Sequence, residues 1–284
     1  MRRILLLAVL LLSGCQHVTA PPPISEHILD VHTGQALTAQ QLAERLATAA
    51  RVIVGEQHDN REHHQLQLWL LQDLSERRAQ GSLLLEMLTP SQQSRVDAVR
   101  QASPPPADMP AALAWQPGWD WSLYGPIVEF ALKQPYPLRA ANLDDAEVRS
   151  TYAAPPSLSG SHANAASVKA TLLAQIGESH CGLLPATQMP AMLAVQQQRD
   201  RRMAERLFAA PAPALLLAGA YHARKDVGVP VHGLDLGEVD RPVVLMLAEQ
   251  GNEVTAAMAD YVWYTPAKPA EDYCAQMREQ MGKR

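Results

Sequence analysis

Chemically capable residues sit at two matching places in this chain. "RVIVGEQH" (Arg51 to His58) and "ALLLAGAYH" (Ala214 to His222) are apolar runs that each end in glycine, two further residues and a histidine. A short, continuous apolar run reads as a buried strand of a parallel sheet. In such a sheet ligands bind outside the carboxyl ends of the strands, which is where both histidines fall. The glycine is expected there to let the backbone turn sharply as it leaves the strand. Two more strand ends are equally rich: Glu86 follows "SLLL", and Asn142 to Asp145 follow "LRAA".

Two imidazoles and one or two carboxylates on one sheet edge suit two kinds of chemistry. His58, His222 and Glu86 carry the donor types that hold a divalent transition metal such as zinc, manganese, cobalt or iron. The same groups can activate water, with Glu56 or Glu86 as the general base. One G-x-x-H alone has a plainer explanation, a hydrogen bond to a neighbouring loop. Two copies, with Glu86 on a third strand end, favour one shared pocket. Among the other histidines, His63 shares a helical face with Leu66 and Leu70 and is expected to be buried and bonded, one turn from His58. His64 is expected to face solvent. His180, next to Cys181, is a candidate ligand for something held beneath the helices that follow, whereas Met189, Met192 and Met203 read as core.

The elements that must position these groups follow from periodicity. Strands are expected at 51–54, 82–85, 138–141, 214–218 and 243–247, with helical patterns between them. Asp59 and Glu62 have the spacing of a capping box, Leu66, Trp69, Leu70 and Leu74 mark one helical face, and Gly81 ends it. Strand, helix, strand implies right-handed crossovers, hence an α/β fold with a mostly parallel central sheet flanked by helices. Two stretches break the simple alternation: an aromatic one at 88–130, with Trp115, Trp119, Trp121 and Tyr124, and a helical one at 157–208. Both are expected to form a helical lobe over the carboxyl edge of a single domain spanning 28–265. Residues 266–284 read as a solvated tail, and no repeat of solenoid period is present.

At the N-terminus, Arg2 and Arg3 precede the apolar run Ile4 to Leu12, the arrangement of a secretory signal. The run is too short to span a membrane as a helix. Leu12-Ser13-Gly14-Cys15 resembles the lipobox of bacterial lipoproteins. That resemblance implies a leader of residues 1–14, lipidation of Cys15 and a loose tether over 15–27, with Gln16 favouring the outer membrane, facing the periplasm. Disulfides persist in that compartment, so the remaining Cys181 and Cys274 either bridge or stay free, a catalytic thiol being the weaker alternative. The formal charge of −5 leaves no electrostatic footprint for nucleic acid.

Four segments, "VIVGEQHDNREHHQLQ", "LLLEM", "HCGLLPATQMPAMLAVQQQRDRRMAERL" and "LLLAGAYHARKDVGVP", together resemble the ChaN family of haem-binding iron-uptake lipoproteins, in order and across most of the chain from Ile28 to Leu247. That family is in turn similar to a wider group with paired G-x-x-H motifs, including Tiki metalloproteases, TraB-type proteins and erythromycin-esterase-like enzymes. The resemblance implies haem as cargo, a tyrosine ligand to iron, a homodimer that stacks two haems face to face, and exchange with an outer-membrane haem or iron receptor. No chemical step is required of such a protein. Tyr221, Tyr124 and Tyr152 are the tyrosine candidates and His180 an alternative axial ligand. Arg199, Arg201, Arg202 and Arg224 are candidates to meet the propionates. The competing expectations are a metal-dependent hydrolase, with metal on His58, His222 and Glu86 and proton transfer by Glu56, and a degenerate enzyme fold kept as a protein-binding scaffold.

Overall fold

A computed structural model describes residues 20–22, 24, 27–269 and 272–282. The expected leader, Cys15 and most of the tether lie outside the described residues. The chain runs β1 (His27–Asp30), β2 (Ala36–Leu37), α1 (Ala39–Ala47), β3 (Arg51–Glu56), α2 (Arg61–Arg77), β4 (Ser82–Leu85), α3 (Gln93–Gln101), α4 (Met109–Leu113), α5 (Trp121–Leu132), β5 (Leu138–Ala140), α6 (Asp145–Ala153), α7 (Ala166–Ser179), α8 (Met189–Ala209), β6 (Ala214–Gly219), α9 (Ala220–Ala223), α10 (Val229–Asp235), β7 (Val243–Glu249), β8 (Tyr261–Thr265) and α11 (Tyr273–Gly282).

All five expected strands form, and they join one sheet in the order β2-β1-β8-β7-β3-β6-β4-β5. The strands from β8 to β5 are parallel, and β1 runs antiparallel to both β8 and β2. The two motif-bearing strands are neighbours, with Gly55 beside Ala218 and Glu56 beside Gly219. Both motifs therefore leave the sheet side by side at its carboxyl edge.

Strand alternation sends side chains to two faces. Val52, Val54, Leu83, Leu85, Leu215 and Leu217 pack with Leu42, Leu66, Leu70, Val96 and Ile127 of α1, α2, α3 and α5. Ile53, Leu84, Leu216 and Val244 pack with Met203, Leu207, Ala223 and Val229 on the other side. Burying each such aliphatic side chain contributes about 2 kcal/mol. The fold is thus three-layered. The two segments expected as a lobe lie one on each face, and both reach the carboxyl edge: Trp119 and Tyr124 from the first touch His58, Gln196 and Asp200 from the second reach His222.

Local details differ from expectation for physical reasons. Helix α2 is capped by Asn60, whose Oδ1 accepts from the Glu62 and His63 N–H groups, rather than by Asp59. Asp59 instead pairs with Lys268 at 2.7 Å and accepts from Tyr273 Oη at 2.7 Å. Gly81 lies beyond the helix end and answers to packing, because a Cβ there would come within 2.5 Å of the Pro211 and Ala212 carbonyl oxygens. Arg78 closes a different helix, donating to the Leu46, Ala47 and Ala49 carbonyls at the end of α1. The stretch 266–284, read as a solvated tail, carries α11, and Cys274 is bonded to Cys181. No helix among the described residues is long and apolar enough to cross a membrane.

Candidate functional site

The first G-x-x-H places His58 against the second motif. A Cβ added at Gly219 would sit 2.8 Å from His58 Cε1 and 2.9 Å from its Nε2. A Cβ at Gly55 would meet Ala223 Cβ and Met246 Sδ, both at 2.7 Å. Neither glycine has a left-handed φ, which corrects the expectation that each is needed for a sharp turn. They are needed for close approach: each motif's glycine makes room for the far end of the other motif or its neighbours.

His58 is half-exposed and held from behind. Its Nδ1 lies 2.6 Å from Glu56 Oε1, and Tyr124 Oη donates to the same oxygen at 3.0 Å. Trp119 meets the ring edge-on, with centroids 4.9 Å apart. Burial pulls the His58 pKa down, but the Glu56 hydrogen bond and the Glu86 and Glu56 charges outweigh it, so the ring protonates more readily than usual. Tyr124 is driven the other way: burial and the Glu56 charge both disfavour its phenolate.

His64 does not face solvent. It is buried, its Nε2 donates to the His58 carbonyl at 3.0 Å, and its ring stands edge-on to Tyr124. The solvent-facing expectation assumed a single buried stripe on α2. Both His63 and His64 turn inward because α2 is covered by α5 as well as by the sheet. His63 accepts from the Gln57 N–H and meets Thr265 Oγ1 at 3.1 Å. Burial and the neighbouring His64 push its pKa down to about 3, keeping it neutral.

His222 sits deeper, between two carboxylates. Its Nδ1 donates to Asp200 Oδ1 at 2.6 Å, and its Nε2 lies 3.4 Å from Glu86 Oε1. The other Glu86 oxygen accepts from the Gly219 N–H at 2.7 Å. Burial pushes the His222 pKa down, yet the Glu86 and Asp200 charges and hydrogen bonds carry it to about 10. Burial likewise raises Glu86, but the His222 charge and hydrogen bond hold it well below the usual carboxylate range. The pair is an imidazolium and a carboxylate. Asp200 was not among the sequence candidates. Its signal was present, since it falls on the same buried stripe of α8 as Met203 and Leu207, and a carboxylate on such a stripe needs a partner.

The fold therefore brings Glu56, His58, Glu86, His222 and Tyr124 into one cluster. Tyr221, next to His222 on α9, turns outward and is 43% exposed. Arg224, two residues after His222, has its guanidinium bonded to Asp226 at 2.6 and 2.9 Å. His180 stands at the end of α7 with Nδ1 2.8 Å from the Ile176 carbonyl, beside the disulfide rather than in the cluster. Tyr152 is exposed on α6. Arg201 and Arg202 pair with Glu205 and Glu147. A groove of about 470 Å³ opens between α8 and the 156–158 loop, with Lys169, Pro190 and Leu193 in its walls. Among the described residues no group of three or more His, Cys, Asp or Glu is placed to hold a metal ion. Both His222 nitrogens face carboxylates, and Glu56 takes His58 Nδ1.

No curated protein matches the chain. Among solved structures, the fold is similar to that of ChaN of Campylobacter jejuni with haem bound cofacially, at 28% identity and a TM-score of 0.78, covering 84% of this chain and 96% of that one. An erythromycin esterase mutant, EreC, in its open conformation is similar at 13% identity and a TM-score of 0.46, over 86% of this chain and 83% of that one. The model of haem-binding uptake proteins of the Tiki superfamily, ChaN, matches residues 42–232. With that match spanning both G-x-x-H motifs and all the strand ends that build the cluster, the chain belongs to the ChaN haem-binding uptake family.

Proposed function

We propose that this protein binds haem at the carboxyl edge of its sheet, with Tyr221 as the iron ligand, and serves haem or iron uptake as a lipid-anchored carrier. The observation that carries the reading is the exposed Tyr221 phenol, next to His222 of the cluster. A phenolate oxygen is an established axial ligand for haem iron. Tyr124 fits this role poorly, because its hydroxyl is buried and donates to Glu56. His180 is the histidine alternative, since its Nδ1–H is spent on the Ile176 carbonyl and Nε2 is the nitrogen left for a ligand. Arg201, Arg202 and Arg224 already hold carboxylates, so propionates compete for them. Such a site holds haem loosely enough to hand it on.

Haem bound through the exposed Tyr221 would be shared with a second copy of the chain in the homodimer proposed here. Cys15 supplies the lipid anchor at the outer membrane, facing the periplasm, and an outer-membrane haem or iron receptor is the exchange partner. Titrating the purified chain with haemin and following the Soret band tests the reading. A saturable shift at defined stoichiometry is expected; a shift no larger than that of an unrelated protein would end it.

Hydrolysis is the second reading, favoured by the Glu56–His58 pair: a carboxylate fixes Nδ1 and turns Nε2 toward Gly219 and Glu86, the arrangement of an oriented acid–base imidazole. In its metal-dependent form His58, His222 and Glu86 would hold the ion. Ester or peptide hydrolysis retained after His58→Ala with His222→Ala would eliminate it.

A further inference from the structure

Behind the second motif lies a polar layer that the cluster does not use. The hydrogen bond from His222 engages only Oδ1 of Asp200. Asp200 Oδ2 is buried and has no hydrogen-bond partner among the described residues. On the neighbouring helix α10, His232 is fully buried, and neither of its ring nitrogens has a partner among the described residues. Arg201 Nη1, on the residue after Asp200, is a third buried polar atom in the same condition. Buried polar groups are as a rule hydrogen-bonded, to protein or to an ordered water. Three such atoms on two packed helices call for a shared partner.

The sequence brings the two helices close at this level. Gly233 follows His232, and a Cβ there would lie 2.5 Å from Phe208 Cε2 of α8, so the glycine lets α10 rest against α8. Met203 and Leu207 of α8 share a core layer with Val229 of α10. Burial holds the His232 pKa below its ordinary value, and among the charges around the ring Asp200 acts most strongly, ahead of Arg201, Asp235 and Glu205. His232 is thus a neutral imidazole, with one N–H to donate and one nitrogen to accept. The other acids near it are engaged: Asp235 accepts from the His162 and Ala163 N–H groups, and Glu205 pairs with Arg201. Among these acids, Asp200 Oδ2 is the buried oxygen left without a donor.

We infer that His232 is a positioning residue for the second motif: its N–H, through an internal water, holds Asp200 Oδ2, and Asp200 in turn fixes the His222 ring. Enclosed waters bonded to several otherwise unpaired polar groups are a regular part of protein interiors, and Arg201 Nη1 supplies a further donor. The hydrogen-bonded chain then runs from Glu86 at the sheet edge through His222 and Asp200 to α10. Because His222 follows Tyr221 on the short helix α9, the support reaches the exposed phenol as well, whatever ligand the site takes.

Nuclear magnetic resonance of the purified full chain, isotopically labelled at nitrogen, tests this through the histidine ring resonances and through magnetisation transfer from water. The wild type should show a cross-peak from a long-lived internal water to the His232 ring N–H; its absence overturns the water. His232→Phe keeps the bulk of the ring and removes both nitrogens. In it the His222 Nδ1 resonance is expected to move by more than that of His58, whose Nδ1 is held by Glu56 instead. His232→Gln restores an N–H and should return His222 close to its wild-type position. A role in packing alone would lower the urea midpoint of His232→Phe and leave the His222 nitrogens unmoved, which overturns the positioning role. Asp200→Asn gives the reverse reading should His232→Phe fail to fold: the His232 resonances should shift in it, and unchanged His232 resonances overturn the link.

Discussion

The two G-x-x-H motifs share a spacing and a sheet edge but not an environment. His58 is half-exposed, backed by Glu56 and Tyr124; His222 is buried between Asp200 and Glu86. The spacing sets where each ring leaves the sheet, and the helix that covers it sets its state. Helix α5 brings a phenol to His58, while α8 brings a carboxylate to His222 and fixes it as a cation. The deep histidine is locked between two carboxylates, and the shallow one keeps part of its ring open to solvent.

The strongest way to break that contrast is to remove a partner of the deep histidine. Glu86→Ala leaves the His222 imidazolium with Asp200 alone and the Gly219 N–H without its acceptor, a loss of about 3 kcal/mol; urea unfolding measures it. Gly219→Ala comes next, since the new Cβ presses on the His58 ring at 2.8 Å, an overpacking cost of about 1–3 kcal/mol. Its His58 resonances should move more than those of His222, and equal shifts would deny that the glycine serves the other motif.

Acidity sharpens the comparison further. His222 has a folded pKa raised from 6.5 to about 10, so its contribution is full below 6.5 and is lost as pH rises through 10. His63 is depressed from 6.5 to about 3, so its contribution is present above 6.5 and is lost as pH falls toward 3. The urea midpoint should therefore peak near pH 6.5, the alkaline limb shrinking in His222→Gln, with the remainder due to His58, whose pKa is also raised, and part of the acid limb going in His63→Gln. Tyr124→Phe takes one donor from Glu56 and should cost about 1 kcal/mol. Smallest of all, Tyr221→Phe should change stability by less than about 0.5 kcal/mol, as befits an exposed ring.

Much of this was legible in the residues, because apolar runs and their glycines declare parallel strands whatever lies around them. Glu56, His58, Glu86 and His222 all follow from that one rule about strand ends. Strands β1, β2 and β8 were not legible: β1 is short and partly polar, β2 is only two residues long, and "YVWYT" lacks a clear alternation. His64 was misplaced because one helix's periodicity does not reveal a second covering helix. Asp200 and the true role of the glycines depend on contacts between segments far apart in sequence. The Cys181–Cys274 bond, separated by 93 positions, is of the same kind.

The haem site itself is tested most directly by resonance Raman spectroscopy of the ferric haem complex in the wild-type chain and in Tyr221→Phe. The account predicts iron–phenolate bands in the wild type that disappear in the variant, with affinity falling at least about tenfold, equivalent to about 1.4 kcal/mol. Phenolate bands that persist in Tyr221→Phe, or a histidine-type spectrum in the wild type, would contradict it and move the ligand to another residue.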